Sequence, residues 1–116
     1  MPIHRCPRCR AEDIAADAHP ARVLRADGPE VVFVCRRCYR AAELEYRIAC
    51  ETRGLPYAPL PRREGLRRLA AFYRERLVDL ADPELLLDDA DRVAASAPVR
   101  AALAEVERAL AVAPVE

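Results

Sequence analysis

Hydrophobic residues in the first third of the chain are grouped in two short runs of strand-forming residues. Residues 22–26 (RVLRA) and 30–34 (EVVFV) form these runs, and Asp27-Gly28-Pro29 lies between them. An Asp-Gly pair between two such runs is a strong local signal for a hairpin turn. We therefore expect a β-hairpin in this part of the chain, with its second strand leading directly into Cys35.

The pattern changes to a helical period after Cys38. Residues 39–53 are expected to form one helix, and Gly54 is suited to the position just beyond its C-terminal end. The apolar residues of this helix fall on two faces, one with Ala41, Leu44 and Ile48 and the other with Tyr46 and Cys50. A helix that is apolar on two sides is often packed between two partners. We expect the hairpin on one side and a C-terminal segment on the other.

Residues 55–61 (LPYAPLP) contain three of the ten prolines and predict a short, stiff linker. Beyond the linker, residues 62–81 have the apolar period of an amphipathic helix. Its stripe consists of Leu66, Ala70, Tyr73, Leu77 and Leu80, widened by Leu69 and Phe72. The predicted organisation is a module over residues 1–54, the linker, and a helical region over residues 62–116.

Two further helices are predicted in the helical region. Asp82-Pro83-Glu84 is a strong start signal, because aspartate is a good N-cap, proline suits the first helical position and glutamate is favourable near it. We expect one helix from residue 83 to about residue 95 and another over residues 98–112. Antiparallel helices with short turns predict a helical hairpin or a three-helix segment, and the predicted fold class of the chain is α+β.

Composition narrows the classes of protein that the chain can represent. It has 116 residues, 53% of them apolar, and its 19 basic and 19 acidic residues give a formal net charge of zero. A polybasic protein and an acidic tail protein are therefore excluded, and bulk disorder is not expected. Because no stretch approaches 18 uncharged apolar residues and the start has no apolar signal region, we expect a cytoplasmic protein without a membrane span.

Four of the five cysteines form two pairs with the same spacing, Cys6 with Cys9 and Cys35 with Cys38. The tight turn of a C-x-x-C sequence directs both sulfurs towards one ion, and two such turns supply four thiolates at tetrahedral geometry. The interpretation that we favour is a closed zinc site with these four cysteines as its ligands. The alternatives are an iron centre, a redox dithiol and two unrelated cysteine pairs.

Each C-x-x-C turn is of the kind called a zinc knuckle. The order along the chain is a first knuckle, a hairpin and a second knuckle at the start of a helix, and this order resembles the treble-clef class of zinc fingers. The resemblance covers residues 4–54 and implies a zinc ion that holds the module together. A zinc ribbon is the nearest alternative. Ribbon knuckles usually have glycine after the second cysteine, where this chain has Arg10 and Tyr39. The missing glycines and the strong helix after Tyr39 both favour the treble clef.

HNH endonucleases resemble the same layout, with two C-x-x-C pairs that brace a hairpin and a metal-binding histidine that follows an aspartate. Here His19 follows Ala18, Tyr39 follows Cys38, and the chain has no asparagine. We therefore expect no enzyme activity, and a degenerate, non-catalytic relative of these nucleases is a minor alternative.

Three single residues are not expected to have a role at the metal. His19 is expected to lie in a loop, and Cys50 is expected to be a small buried hydrophobic residue. His4 is not expected to be a ligand, because four thiolates already saturate the site.

Arginine supplies all 19 basic residues, and the arginines are concentrated in two places. Six of them flank the two knuckles, more than the two negative charges of a zinc–tetrathiolate centre require. Seven lie in residues 53–76 against two glutamates, whereas residues 77–116 contain three arginines and nine acidic residues. Guanidinium groups bind phosphate in a bidentate manner, so these concentrations indicate a surface for anions.

The function predicted from these patterns is a small, non-enzymatic zinc-binding regulator, for example of transcription, that binds the phosphate backbone of DNA or RNA. The predicted contacts are Arg8, Arg10, Arg36, Arg37, Arg40, Arg62, Arg63 and Arg67. The alternative is a protein–protein adaptor, or a homodimer through residues 62–81 and 98–112. No small-molecule substrate is expected.

Overall fold

The computed structural model of the chain describes residues 4–11 and 13–114, which form two β-strands and three α-helices. Their order is β1 (His19–Arg25), β2 (Gly28–Val34), α1 (Tyr39–Thr52), α2 (Arg62–Leu80) and α3 (Asp89–Val112). The strands and α1 belong to one compact unit, residues 5–60, which we call the hairpin unit. Residues 61–114 together with His4 form the second, the helical unit. The predicted α+β class is confirmed, and α2 and α3 make a helical hairpin rather than a three-helix segment.

β1 and β2 form a two-stranded antiparallel sheet whose turn consists of Ala26 and Asp27. The predicted hairpin is confirmed, but its turn comes earlier than predicted and β1 begins at His19, which corrects the expectation of a loop there. Gly28 has φ +131°, an angle that other residues rarely adopt, and so it can close the turn as the first residue of β2. Pro29 follows the closing pair, where the N–H of an antiparallel strand points away from its partner, so the sheet loses no hydrogen bond.

α1 begins directly after the second C-x-x-C turn and is capped by Gly54 as the sequence predicts. The Gly54 N–H donates to the Glu51 carbonyl at 3.2 Å, and the Leu55 N–H donates to the Cys50 carbonyl at 2.9 Å. Gly54 itself has φ +67°. These two hydrogen bonds and the left-handed glycine form a Schellman cap, which satisfies carbonyl groups at the helix end.

One apolar face of α1 is buried and the other is exposed. Ala42, Tyr46 and Cys50 are buried on the side that packs against β1. Leu44 and Ile48 remain 56% and 52% exposed. The expectation that both faces are covered is therefore wrong for the face of Leu44 and Ile48, because periodicity places apolar residues on a face without specifying a partner for it.

α2 and α3 pack together in the helical unit along a row of buried side chains. Within the predicted stripe of α2, Tyr73 and Leu80 are buried, whereas Leu66 and Leu77 are only half-buried. Arg76 is also buried, with 1% of its surface exposed. The basic segment of residues 53–76 therefore presents one arginine fewer to solvent than its sequence suggests.

α3 replaces the two helices that the sequence predicts over residues 83–95 and 98–112. It continues through Pro98, which removes one backbone hydrogen bond from the helix. Ser96 and Val99, on either side of the proline, are both buried. Packing of an amphipathic face contributes more to a helix in a protein than local propensity does, and this packing accounts for the unbroken helix.

The start of α3 is fixed by Asp88 and not by Asp82. The Asp88 carboxylate accepts the Asp91 N–H at 2.8 Å, which is the N-cap hydrogen bond of the helix. Asp82 accepts the Glu84 N–H at 2.9 Å, and this local turn does not continue as a helix. Within residues 4–11 and 13–114, no helix is long and apolar enough to cross a lipid bilayer.

Candidate metal centre

The two cysteine pairs are held by tight turns next to the hairpin. Cys35 directly follows β2 and Cys38 directly precedes α1, so a strand and a helix fix the second pair. The Cys38 N–H donates to the Cys35 carbonyl at 3.1 Å, and the Arg10 N–H donates to the Cys6 carbonyl at 2.8 Å. Arg10 has φ +60°, so the first turn uses a left-handed conformation that glycine adopts more readily.

The positions of the four sulfurs fit a tetrahedral metal ion. The Sγ atoms of Cys6, Cys9, Cys35 and Cys38 all lie within 4.8 Å of one another, and those of Cys9 and Cys35 are 3.7 Å apart. Four thiolates at about 2.3 Å from a zinc ion would be about 3.8 Å apart. All four are free thiols, and three of them are buried. The residues that the spacing predicts as ligands are therefore gathered into one zinc-finger-like cluster.

Hydrogen bonding and burial separate the acidities of two of these thiols. Burial opposes the ionisation of Cys6, but backbone donors of Cys35, Cys9 and Arg8 stabilise its thiolate and lower its pKa to about 6. Burial raises the pKa of Cys35 to about 11. A metal ion binds the thiolate and not the thiol, so the lowered pKa makes Cys6 the more readily ionised of these two candidate ligands.

Arg8, in the first C-x-x-C turn, bonds both to α1 and to the second cysteine pair. Its Nε and Nη2 donate to Glu45 Oε1 at 2.9 and 2.7 Å, and its Nη1 donates to the Cys38 sulfur at 3.5 Å. The Glu45 carboxylate and the Cys38 sulfur raise the pKa of Arg8. The guanidinium that the sequence predicts as a nucleic-acid contact is thus directed to the cysteine cluster.

The other predicted arginines of the hairpin unit are directed outwards. The exposed ones beside the cysteine pairs are Arg10, Arg36, Arg37 and Arg40. Arg36 and Arg40 make no ion pair and no side-chain hydrogen bond to any residue that the structure describes. The guanidinium groups of Arg36 and Arg40 are therefore available for an external anion.

The predicted arginines of the helical unit differ among themselves. Arg62 and Arg67 are exposed on α2. Arg63 is half-buried, and its Nη1 donates to the carbonyls of Leu110 and Ala113, both at 3.2 Å. It therefore caps the C-terminal end of α3, where a cation is favourable.

The three residues without an assigned role lie outside the sulfur cluster of the described chain. His4 packs edge-on against Phe72, with ring centres 5.4 Å apart. His19 lies beside Tyr39, and its Nε2 is 3.3 Å from Asp17 Oδ1. Cys50 is buried, as the sequence predicts, and its thiol raises the pKa of the neighbouring Tyr46.

Two acidic residues of α1 have partners that the sequence analysis did not identify. Besides Glu45, Glu43 lies 3.2 Å from Arg22 Nη2, and the Arg22 guanidinium carbon lies 4.4 Å from the centre of the Tyr46 ring. Both glutamates are in the first two turns of a helix that follows an arginine-rich knuckle. That charge pattern is the signal that could have indicated them.

The fold and the cluster together define a small α+β protein with a four-cysteine site beside a β-hairpin. Comparison with protein-family models, with curated proteins and with solved structures finds no match to this chain.

Proposed function

We propose that the protein is a non-enzymatic, zinc-binding regulator that binds the phosphate backbone of nucleic acid. In this proposal Cys6, Cys9, Cys35 and Cys38 bind one zinc ion, and the ion holds the two knuckles together. The exposed arginines beside the knuckles then contact phosphates. The observation that supports the proposal most directly is that Arg36 and Arg40 are exposed and have no partner among the described residues.

Zinc is the proposed ion because the donor set consists of four thiolates. Soft sulfur ligands in a tetrahedral arrangement select zinc or iron over the hard cations that prefer oxygen. A closed set of four protein ligands also leaves no open position for a substrate or an activated water. The site therefore suits a structural ion and not a catalytic one.

Phosphate is the proposed target because the chain has few side chains that can read bases. It contains no lysine, asparagine or glutamine, so arginine to guanine is the main specific contact left to it. If the four exposed knuckle arginines each contact one phosphate, the logarithm of the affinity for duplex DNA should fall with a slope of about −3.6 against the logarithm of salt concentration.

The test is a titration of duplex and single-stranded oligonucleotides by fluorescence anisotropy, starting at about 50 mM salt. Replacement of Arg36 and Arg40 by alanine should weaken binding to all sequences and reduce the salt slope to about −1.8, with no change in zinc content. The matched control replaces Arg25 and Arg47 by alanine, which removes the same amount of positive charge from the chain. These two arginines are already paired with Glu30 and Glu51, so their loss should affect binding less. Absence of association at 50 mM salt would refute nucleic-acid binding.

A protein–protein adaptor is the second candidate, and the exposed face of α1 favours it. Leu44 and Ile48 are one helical turn apart and both are more than half exposed. Replacement of both by serine should abolish capture of a partner protein without loss of zinc, whereas the Arg36/Arg40 variant should retain the partner. Light scattering on the purified chain would identify a homodimer if the partner is a second copy.

A further inference from the structure

The contacts of Arg8 connect three separate parts of the hairpin unit. Arg8 itself belongs to the first knuckle, Glu45 belongs to the second turn of α1, and Cys38 belongs to the second knuckle. Two of its nitrogens, Nε and Nη2, share the single oxygen Glu45 Oε1. This arrangement fixes the plane of the guanidinium and leaves Nη1 directed at the Cys38 sulfur, 3.5 Å away.

A donor at this position acts on the charge of the metal centre. Zinc with four thiolates has a formal charge of −2, and the thiolates at such a centre are stabilised by neighbouring N–H groups and cations. Arg8 supplies both an N–H donor and a full positive charge to one of the four sulfurs. Arg36 and Arg40, although close in sequence to Cys38, make no such hydrogen bond among the described residues.

We propose that Arg8 is a positioning residue of the zinc centre, oriented by Glu45 so that its Nη1 donates to the Cys38 thiolate, and that it is not one of the nucleic-acid contacts. The role of Arg8 at the metal rests only on the proposed zinc site, and the statement about nucleic acid rests also on the proposed function. It divides the knuckle arginines into an inner one that acts on the metal and outer ones that act on phosphate.

The effect of Arg8 is expected on the metal and much less on the fold. The Arg8 and Glu45 side chains are 39% and 60% exposed, and an ion pair at that exposure contributes little to stability because water and salt screen it. The hydrogen bond to sulfur is different, because it stabilises the thiolate form of Cys38, which is the form that binds a metal ion. Loss of a partner in the shell around the ligands typically weakens metal affinity by about 10–100-fold.

The test measures zinc affinity of the full chain by competition with a chromophoric chelator. Arg8→Ala should bind zinc about 10-fold more weakly than the wild type. Arg8→Lys should fall between the two, because one ammonium group cannot contact both Glu45 and Cys38 as the planar guanidinium does. Glu45→Gln, which keeps an acceptor but removes the charge, should have a smaller effect. Arg36→Ala is the matched control and should bind zinc like the wild type.

A second readout separates action on the sulfur from a general loss of structure. With cobalt(II) in place of zinc, the sulfur-to-metal charge-transfer band reports the electron density on the thiolates. The band should shift in Arg8→Ala, where the Cys38 thiolate has lost its donor, and should not move in Arg36→Ala. At zinc concentrations that saturate the site, Arg8→Ala should bind oligonucleotides as tightly as the wild type.

The outcomes distinguish this inference from the function on which it rests. A wild-type chain that binds no zinc refutes the proposed metal site itself. Wild-type zinc affinity and an unshifted cobalt spectrum in Arg8→Ala overturn the role of Arg8, as does a loss of nucleic-acid binding in that variant when zinc saturates it. If Arg8→Ala does not fold even with zinc, Arg8→Lys and Glu45→Gln decide the matter by the same two measurements.

Discussion

The hairpin unit and the helical unit differ in what can hold each of them together. β1 and β2 are seven residues each, and a lone two-stranded hairpin is marginal in water. α2 and α3 are 19 and 24 residues long and bury aliphatic and aromatic side chains against each other. We therefore expect the proposed zinc ion, together with the packing of α1 on β1, to stabilise the hairpin unit, whereas side-chain packing alone stabilises the helical unit.

This difference also decides which sequence signals are reliable in each unit. In the hairpin unit the important spacing is local, since only two residues separate the members of each cysteine pair. In the helical unit the important contacts join residues far apart, such as Arg63 and the carbonyl of Leu110. A contact across 47 residues leaves no periodic trace in the sequence.

The largest expected effect is loss of the metal. Structural zinc contributes roughly 10–16 kcal/mol in small finger peptides, more than the net stability of most domains. Cys35→Ser, or removal of zinc with a chelator, should unfold the hairpin unit and leave α2 and α3 folded. Two-dimensional amide NMR spectra would detect this as loss of dispersion for residues 5–60 alone.

Cys50→Ala is the control for this experiment, because Cys50 is buried but lies outside the sulfur cluster. It should retain one zinc ion per chain and a folded hairpin unit. A folded Cys35→Ser chain, or a purified wild-type chain without zinc, would contradict the assignment of the metal to this unit.

A smaller effect is expected from the core of the helical unit. Leu80 is 1% exposed, and its replacement by alanine should reduce the free energy of unfolding by about 2–5 kcal/mol. Leu86→Ala removes the same atoms from a fully exposed site and should change it by less than about 0.5 kcal/mol. Thermal unfolding followed by circular dichroism measures both, and zinc content should be the same in both. Equal melting temperatures for the two variants would mean that α2 is not packed as described.

The smallest expected effect tests the start of α3. Asp88→Ala removes the N-cap hydrogen bond and should destabilise the helical unit by about 1 kcal/mol. Asp82→Ala removes only a turn bond, and urea denaturation should give a change below about 0.5 kcal/mol. If the Asp82 variant were the more damaging of the two, the helix would begin where the sequence alone predicts it.

Much of the hairpin unit could be predicted from the sequence, and the reason is that its signals are local. The cysteine spacing, the hairpin and the cap at Gly54 each depend on residues within a few positions of one another. The exact turn could not be predicted, because Asp27-Gly28 fits a two-residue turn in more than one register. The exposure of Leu44 and Ile48 could not be predicted either, since periodicity marks an apolar face without indicating whether another segment packs on it.

The role of individual arginines was the least predictable part of the site. Arg8, Arg36 and Arg40 are indistinguishable in sequence, since each lies within two residues of a cysteine. Their difference comes from Glu45, which lies 37 positions after Arg8 and reaches only that one of the three.

The prediction that a helix starts at Asp82 was wrong for a similar reason. Arg92 donates to the carbonyls of Leu80 and Leu85, and these bonds hold the segment after α2 in a non-helical conformation.

The register of the hairpin limits where the length of this chain can change. Val34 pairs with His19, and Cys35 is the next residue, so one residue added within the paired part of β2 would turn the side chains that follow it to the opposite face. Cys35 would then point away from Cys9. An insertion in residues 55–59 meets no such constraint, because no strand or helix contains them. Natural length variants of this module should therefore differ there and keep the number of residues from Gly28 to Cys38 constant.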